Sequence, residues 1–233
     1  VHLLLTDRLT CPRCGPRFGL ILRADRLDDR RVLEGVLGCP NCREAYPVRE
    51  GTGDLRPEPR STVPDVPDPD PAADDEVMAA RALLGLGAEI GLTSGVAQVV
   101  LTEGVAELAP GLAAHLEDLE VVVVSFGGRG VGSGSGERPW SRVLTTGALP
   151  FHEASLRGVM MRGSEADRWL AAAVRVVAPR SRVVVLDPEA GVASRLESAG
   201  LVLKLDATEA VVAERSPAAP TLSPGVAPLS GPR

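Results

Sequence analysis

Four cysteines occur in this chain, and they repeat one spacing: Cys11-Pro12-Arg13-Cys14 and Cys39-Pro40-Asn41-Cys42, with 24 residues between the pairs. A C-x-x-C turn brings two thiolates to one side of a tight knuckle. Two knuckles complete a tetrahedral S₄ shell, the geometry that suits Zn²⁺ at Zn–S distances near ~2.3 Å. The gap between the pairs exceeds the usual zinc-ribbon template, but loop length costs closure entropy only logarithmically. Two disulfides would need an oxidising compartment, and the apolar start, Val1 to Leu5, is too short for the core of a secretory leader. A thioredoxin-like redox site uses one C-x-x-C beside a βαβ unit, not two paired knuckles. The pattern points to a closed, structural zinc site with Cys11, Cys14, Cys39 and Cys42 as ligands.

A chain of 233 residues accommodates one or two domains. Hydrophobic residues make up 44% and aromatic residues 3%, so the core must be built from Val, Leu and Ala. A formal net charge of −6 argues against gripping nucleic acid by charge alone. No apolar run reaches the ~18 residues of a membrane span. A soluble, cytoplasmic protein is expected.

Residues 1–56 read as the metal module. Leu3 to Leu9 forms a short helix or turn, Phe18 to Leu22 a strand, and Asp25 to Arg31 a charged hairpin tip. Val32 to Gly38 is the returning strand and Ala45 to Val48 a third. So small a unit cannot fold on apolar burial alone, and metal binding should supply folding free energy directly. The motifs Leu-Thr-Cys-Pro-x-Cys and Leu-x-Cys-Pro-x-Cys are followed by Ala45-Tyr46-Pro47-Val48-Arg49-Glu50-Gly51 and Asp54-Leu55-Arg56-Pro57. Together they resemble the small zinc-binding family that includes the activator subunit of tRNA and protein methyltransferases. The Tyr-Pro-Val-Arg-Glu-Gly stretch is the specific part. The resemblance implies a surface that docks a methyltransferase domain, made partly of an edge strand, and no catalysis by the module.

Residues 57–76 alternate proline with acid: Pro57, Pro59, Pro64, Pro67, Pro69 and Pro71 exclude helix and central strand, leaving an extended spacer. Residues 77–215 alternate strand and helix patterns. Strands are expected at Val96 to Leu101, Glu120 to Ser125, Arg142 to Thr145, Leu156 to Met161 and Arg182 to Leu186. Helices are expected over Val77 to Leu86, Val105 to Leu119 and Ala190 to Ala199, and a further helix, running to Val177, should open on a Ser164–Asp167 capping box. Leu201 to Leu205 and Ala210 to Ala213 form a closing hairpin. The fold class is therefore α/β: a small zinc-ribbon-like β module, then a Rossmann-like parallel sheet. Residues 216–233, rich in proline, read as a disordered tail.

The order of elements resembles a class I S-adenosylmethionine methyltransferase domain. Gly147-Ala148-Leu149-Pro150-Phe151-His152-Glu153-Ala154-Ser155-Leu156-Arg157-Gly158-Val159 is similar to that family's Leu-Pro-Phe-x-x-x-Ser-Phe-Asp-x-Val segment. Arg175 to Val185 is similar to its Arg-Val-Leu-Lys-Pro-Gly-Gly turn. The resemblance implies S-adenosylmethionine as cofactor, bordered here by Glu103, Gly104 and Ser125. The departures from the family pattern matter more. One glycine, Gly104, remains of the Gly-x-Gly cradle. Ser125 stands at the end of the second strand, where the acid for the ribose belongs. Thr145 replaces the acid before Leu-Pro-Phe, and Arg157 the acid of Ser-Phe-Asp. A hydrogen bond to a charged group contributes ~1.5–3 kcal/mol, so losing two weakens affinity by roughly hundreds- to tens-of-thousands-fold.

Other candidates carry less. The run Gly127 to Gly136 lacks both the G-x-G-x-x-G spacing and the Gly-Lys-[Ser/Thr] of a phosphate loop and reads as a plain loop. His152 and Glu153 fall on the substrate side of such a domain, as neighbours in a loop. His115 and His2 read as solvated and terminal, Trp140 and Trp169 as packing residues. No catalytic residue is assigned. The first reading is a scaffold: a zinc module on a degenerate methyltransferase-like domain, acting through a protein partner or through docking between its own two domains. The alternative is an active S-adenosylmethionine-dependent methyltransferase carrying its activator in cis. A zinc-ribbon nucleic-acid binder is disfavoured by charge.

Overall fold

The computed structural model describes residues 1–60, 68, 70–86, 97–115, 119–127 and 138–217. Pro64, Pro67 and Pro69 of the spacer, Val96, Leu116, the glycines from Gly128 to Gly136 and the tail from residue 218 lie outside the described residues.

A 3₁₀ turn, Leu3–Arg8, leads into the first knuckle. Strands β1 (Ile21–Asp28) and β2 (Arg31–Gly38) form a hairpin, and β3 (Ala45–Arg49) and β4 (Thr52–Asp54) follow. Helix α1 (Asp74–Leu84) precedes β5 (Ala97–Thr102). A 3₁₀ segment, Glu103–Leu108, then runs into α2 (Ala109–His115), followed by β6 (Leu119–Phe126) and β7 (Ser141–Thr145). Next come β8 (Leu156–Arg162), a 3₁₀ turn over Gly163–Glu165, and α3 (Ala166–Val176). The remaining elements are β9 (Val177–Leu186), α4 (Val192–Ser198), β10 (Leu201–Asp206) and β11 (Ala210–Arg215).

The eleven strands of the described residues belong to one sheet in the order β1-β2-β3-β4-β7-β6-β5-β8-β9-β11-β10. From β4 to β9 every pairing is parallel, whereas β11 and β10 close the far edge antiparallel. Numbered within the α/β part, β5 to β9 stand in the order 3-2-1-4-5, the doubly wound arrangement, with an antiparallel hairpin appended. The expected Rossmann-like sheet is borne out. Parallel strands are covered on both faces, which is why Val121 to Val124 form an unbroken apolar run and all are buried. One face packs under α1 and α2 through Val77, Leu84, Leu101, Leu112 and Val123. The other packs under α3 and α4, and its core continues without a break into the cysteine module through Leu5, Leu9, Leu37, Tyr46 and Phe151. Burying each Val or Leu side chain contributes roughly 1.5–3 kcal/mol.

Several elements differ from expectation for local reasons. The first strand starts at Ile21 and runs through the expected hairpin tip. The turn tightens to Asp29 and Arg30, both with positive φ, as a two-residue hairpin requires. Helix α1 begins at Asp74, three residues before Val77; Asp74, Asp75 and Glu76 suit the positive end of the helix dipole. The helix expected over Val105 to Leu119 is broken: Val105 has φ −131°, the α-helix starts at Ala109, and Leu119 belongs to β6. The expected Ser164–Asp167 capping box is shifted: the Glu165 carboxylate accepts from the Arg162 N–H at 3.2 Å and so caps the 3₁₀ turn Gly163–Glu165, which runs into α3 without a side-chain cap of its own. Strand β4 was not expected at all. Among the described residues, no helix is long and apolar enough to cross a membrane.

Candidate functional site

The two knuckles are built alike. The Gly15 N–H donates to Cys11 O and the Arg43 N–H to Cys39 O, each at 2.9 Å. The residue after each second cysteine is left-handed, Gly15 at φ 89° and Arg43 at φ 61°. These turns place all four Sγ atoms within 4.8 Å of one another. Cys11 and Cys42 are 3.7 Å apart, Cys14 and Cys39 3.8 Å. Those distances are far beyond the ~2.05 Å of a disulfide. They equal the edge of a tetrahedron around a cation with bonds of about 2.3 Å, roughly 3.8 Å. The donor set and its spacing fit a tetrahedral S₄ metal site.

Further groups stabilise anionic sulfur. The buried Tyr46 hydroxyl lies 3.4 Å from Cys11 Sγ, the Cys14 N–H donates to the same sulfur at 3.4 Å, and Asn41 Nδ2 donates to Cys14 Sγ at 3.3 Å. Burial pushes the Cys11 thiol up, but the bonds from Tyr46 and from the backbone outweigh it and hold it at about 7. At Cys42 the Glu44 N–H lowers the value, while burial and the three neighbouring cysteines raise it further, to about 12. Four thiols this close do not ionise together without a cation, so metal binding here releases protons.

The module is seated on the α/β part at three places. Thr52, Gly53 and Asp54 of β4 pair in parallel with Arg142, Val143 and Leu144 of β7, and the Leu55 N–H continues the ladder to Leu144 O at 2.9 Å. Arg31, beside the hairpin turn, forms a two-pronged ion pair with Glu120 of β6 at 3.2 and 3.1 Å. Glu120 is 3% exposed and also accepts from Ser141 Oγ. The strip before the first knuckle reaches the loop after β7: Leu9 bridges Phe151, the Thr10 N–H donates to Pro150 O at 2.8 Å, and the His152 N–H donates to Arg8 O at 3.1 Å.

The second candidate site lies where a doubly wound sheet binds ligands, outside the carboxyl ends of the strands at the point where their order reverses. Here that point falls between β5 and β8. Thr102 ends β5, and Gly104 follows in the 3₁₀ segment. The Glu165 carboxylate, entering from the end of β8, accepts from Thr102 Oγ1 at 2.5 Å and from the Gly104 N–H at 3.2 Å. A Cβ on Gly104 would meet Glu165 Oε2 at 2.5 Å, so the glycine is needed for the protein's own side chain. Arg162 spans the same gap. Its Nε donates to Gly104 O at 2.7 Å, and its two Nη atoms reach Asp187 at 2.6 Å and Glu107 at 3.1 Å. On the other side, Glu103 accepts from the Phe126 N–H at 3.2 Å and faces Arg168 at 3.7 Å; the Arg168 guanidinium lies 4.2 Å over the Phe126 ring.

Of the residues singled out in the sequence, Glu103 and Gly104 thus stand at the crevice, and their polar atoms bond to the protein itself. Ser125 is beside them but buried, with no hydrogen-bond partner for its hydroxyl among the described residues. Thr145 is buried and closes on its own loop, accepting from the Gly147 N–H at 3.3 Å. Arg157 donates to Arg180 O at 3.0 Å, on the irregular start of β9. His152 Nδ1 lies 3.1 Å from Pro16 O at the seam with the module, and Glu153 is exposed. His115 sits on the exposed surface against Gly111 O. Trp169 is fully buried and packs edge-on against Phe126, and Trp140 is covered by Arg138 and Arg142. Sequence reasoning missed Glu165 and Arg162 as crevice residues; Glu165 carried only the signal of a helix-capping acid.

Residues 2–51, 50 of the 233, match the family described as Trm112p-like protein. The N-terminal module is thus similar to that family, as its motifs suggest. No curated protein matches the chain. Among solved structures it is similar to the antibiotic-resistance methyltransferase Kmr, at 16% identity over 63% of this chain and 94% of that one, TM-score 0.41. An O-methyltransferase family protein from Burkholderia thailandensis is 13% identical over 63% of this chain and 59% of that one, TM-score 0.40. A SAM-dependent O-methyltransferase from Thermotoga maritima is 8% identical over 64% and 67%, TM-score 0.41. With TM-scores this low, the fold assignment rests on the strand order described above.

Proposed function

We propose that this protein is a scaffold: a Zn²⁺-bearing, Trm112p-like module fixed to a methyltransferase-like domain that has lost its cofactor site, acting through protein–protein association. The observation that carries this reading is the closure of the crevice at the β5/β8 switch point. Glu165 takes the Gly104 N–H and the Thr102 hydroxyl, the groups an anionic ligand would use there, and Arg162 takes the Gly104 carbonyl. Displacing a largely buried carboxylate from two such bonds costs about 1.5–3 kcal/mol each, which lowers affinity by roughly hundreds- to tens-of-thousands-fold. The absence of an acid at Ser125, Thr145 and Arg157 points the same way.

Zinc is the metal that four thiolates in a tetrahedron favour, and a thiolate metal site of this kind suits a reducing, cytoplasmic setting. When bound, it supplies a structural crosslink between the two knuckles. Tyr46, Cys14 N–H and Asn41 hold the charge of the sulfurs and orient them. The similarity of residues 2–51 to Trm112p-like proteins supports a role in association.

Calorimetric titration of the metal-loaded protein with S-adenosylmethionine and S-adenosylhomocysteine tests the reading. No binding up to millimolar ligand is expected. Saturable micromolar binding would retire the scaffold in favour of an active methyltransferase with its activator in cis.

A further inference from the structure

We infer that the cysteine module is committed to its own α/β domain, and that the β4 edge and the Arg8–Thr10 strip are closed to any second methyltransferase-like domain. The β4 edge and the Arg8–Thr10 strip are both covered here by the α/β domain. A three-residue strand such as β4 has only one use for its outer hydrogen-bonding edge, and β7 fills it, with Leu55 extending the ladder by one more bond. The consecutive residues Arg8, Leu9 and Thr10 are held by the loop Pro150–His152. Between these contacts Arg31 and Glu120 meet as a two-pronged pair, which a rival domain would have to match with a carboxylate at the same depth. Beneath all three, Leu5, Leu9, Tyr46 and Val48 share one core with Val122, Val124, Val143 and Phe151.

The covalent connection adds to this. The spacer leaves the module at Arg60, which binds back to Arg56 O and Ala45 O, and meets β7 at Asp68, paired with Arg138 and Arg142 at 2.5 and 2.9 Å. A short tether sets an effective concentration of about a millimolar. A rival of equal intrinsic affinity at about 1 μM is therefore outcompeted by roughly a thousandfold. The inference is independent of whether the crevice takes a cofactor, since none of these contacts involves Glu165 or Gly104.

The test uses the full chain with a protease site inserted among residues 61–67, cut after purification in the metal-loaded state. The two pieces should co-elute on gel filtration at about 1 μM. On mixing with a tenfold excess of likewise cut, fluorescently labelled protein, the module should remain with its original domain. Separation of the pieces, or transfer of label-bearing domains onto the cut module within minutes, would overturn the inference. Hydrogen exchange on the uncut protein gives a second reading. Gly53 and Leu55 amides should exchange as slowly as Val122, and exchange at least a hundredfold faster would show an interface that opens freely.

Discussion

The cysteine cluster and the crevice above β5 and β8 are both places where several elements converge polar groups on one point, and they resolve it in opposite ways. In the module, Cys11, Cys14, Cys39 and Cys42 aim four sulfurs at a common centre, with edges of 3.7 and 3.8 Å that match a cation's coordination tetrahedron. In the crevice, Thr102, Gly104 and Arg162 also converge, but on the carboxylate of Glu165. Convergence alone therefore does not make a ligand site. The sulfurs repel one another when ionised and are satisfied only by something added. The crevice donors are satisfied by the chain that carries them. The doubly wound order is present, and at its switch point Thr102, Gly104 and Arg162 bond to a side chain of the same protein.

The largest effect should come from breaking the metal site. Cys39→Ser, or chelation of the wild type, should unfold the module and lower overall stability by more than about 5 kcal/mol, because structural zinc binding is worth on the order of 10 kcal/mol. Metal content by mass spectrometry and a thermal melt by circular dichroism would show it; an unchanged melt in the stripped protein would mean the knuckles hold without a cation. Next is Glu120→Ala. It leaves Arg31 without its carboxylate in a mostly buried seam, with only the Pro139 carbonyl to bond among the described residues, and should cost about 3 kcal/mol in urea denaturation, with Arg31→Ala in the same chain restoring part of the loss. Equal losses that simply add would remove the ion pair from the account of docking.

Glu165→Ala probes the other half of the comparison. It strips the acceptor from three donors and should destabilise the fold by about 2–3 kcal/mol. An effect within the scatter of surface mutations would show that the crevice is not braced by this side chain. The smallest change should be favourable. Arg180 sits at φ 63° and Arg43 at φ 61°, where a side chain costs about 1 kcal/mol, so Arg180→Gly and Arg43→Gly should each stabilise by about 0.5 kcal/mol after the added chain entropy of glycine. A loss of stability at Arg43→Gly alone would assign its guanidinium a role near the second knuckle.

Covalent spacing and periodicity carried much of this architecture in plain view. The C-x-x-C pairs announced a tetrahedral cluster. The Val-rich runs around Val99 and Val122 announced buried parallel strands, since only strands covered on both faces tolerate such sequences. What stayed hidden depends on partners distant in the chain. Thr52-Gly53-Asp54 has no apolar alternation and becomes a strand only because β7 offers it an edge. Glu165 looks like an ordinary capping acid, and it does cap, through the Arg162 N–H; its bonds to Thr102 and Gly104 span more than sixty residues. Arg31 and Glu120 are 89 positions apart and each is unremarkable among the charges beside it.

The most direct test of the closed crevice is the amide resonance of Gly104, followed by nuclear magnetic resonance while S-adenosylhomocysteine is added to the metal-loaded protein up to millimolar concentration. The account predicts that the peak stays where Glu165 holds it, with the amides of Thr102 and Phe126 equally unmoved. A saturable shift of Gly104 at micromolar ligand would mean that Glu165 yields to the cofactor, and that the domain kept the site its fold provides.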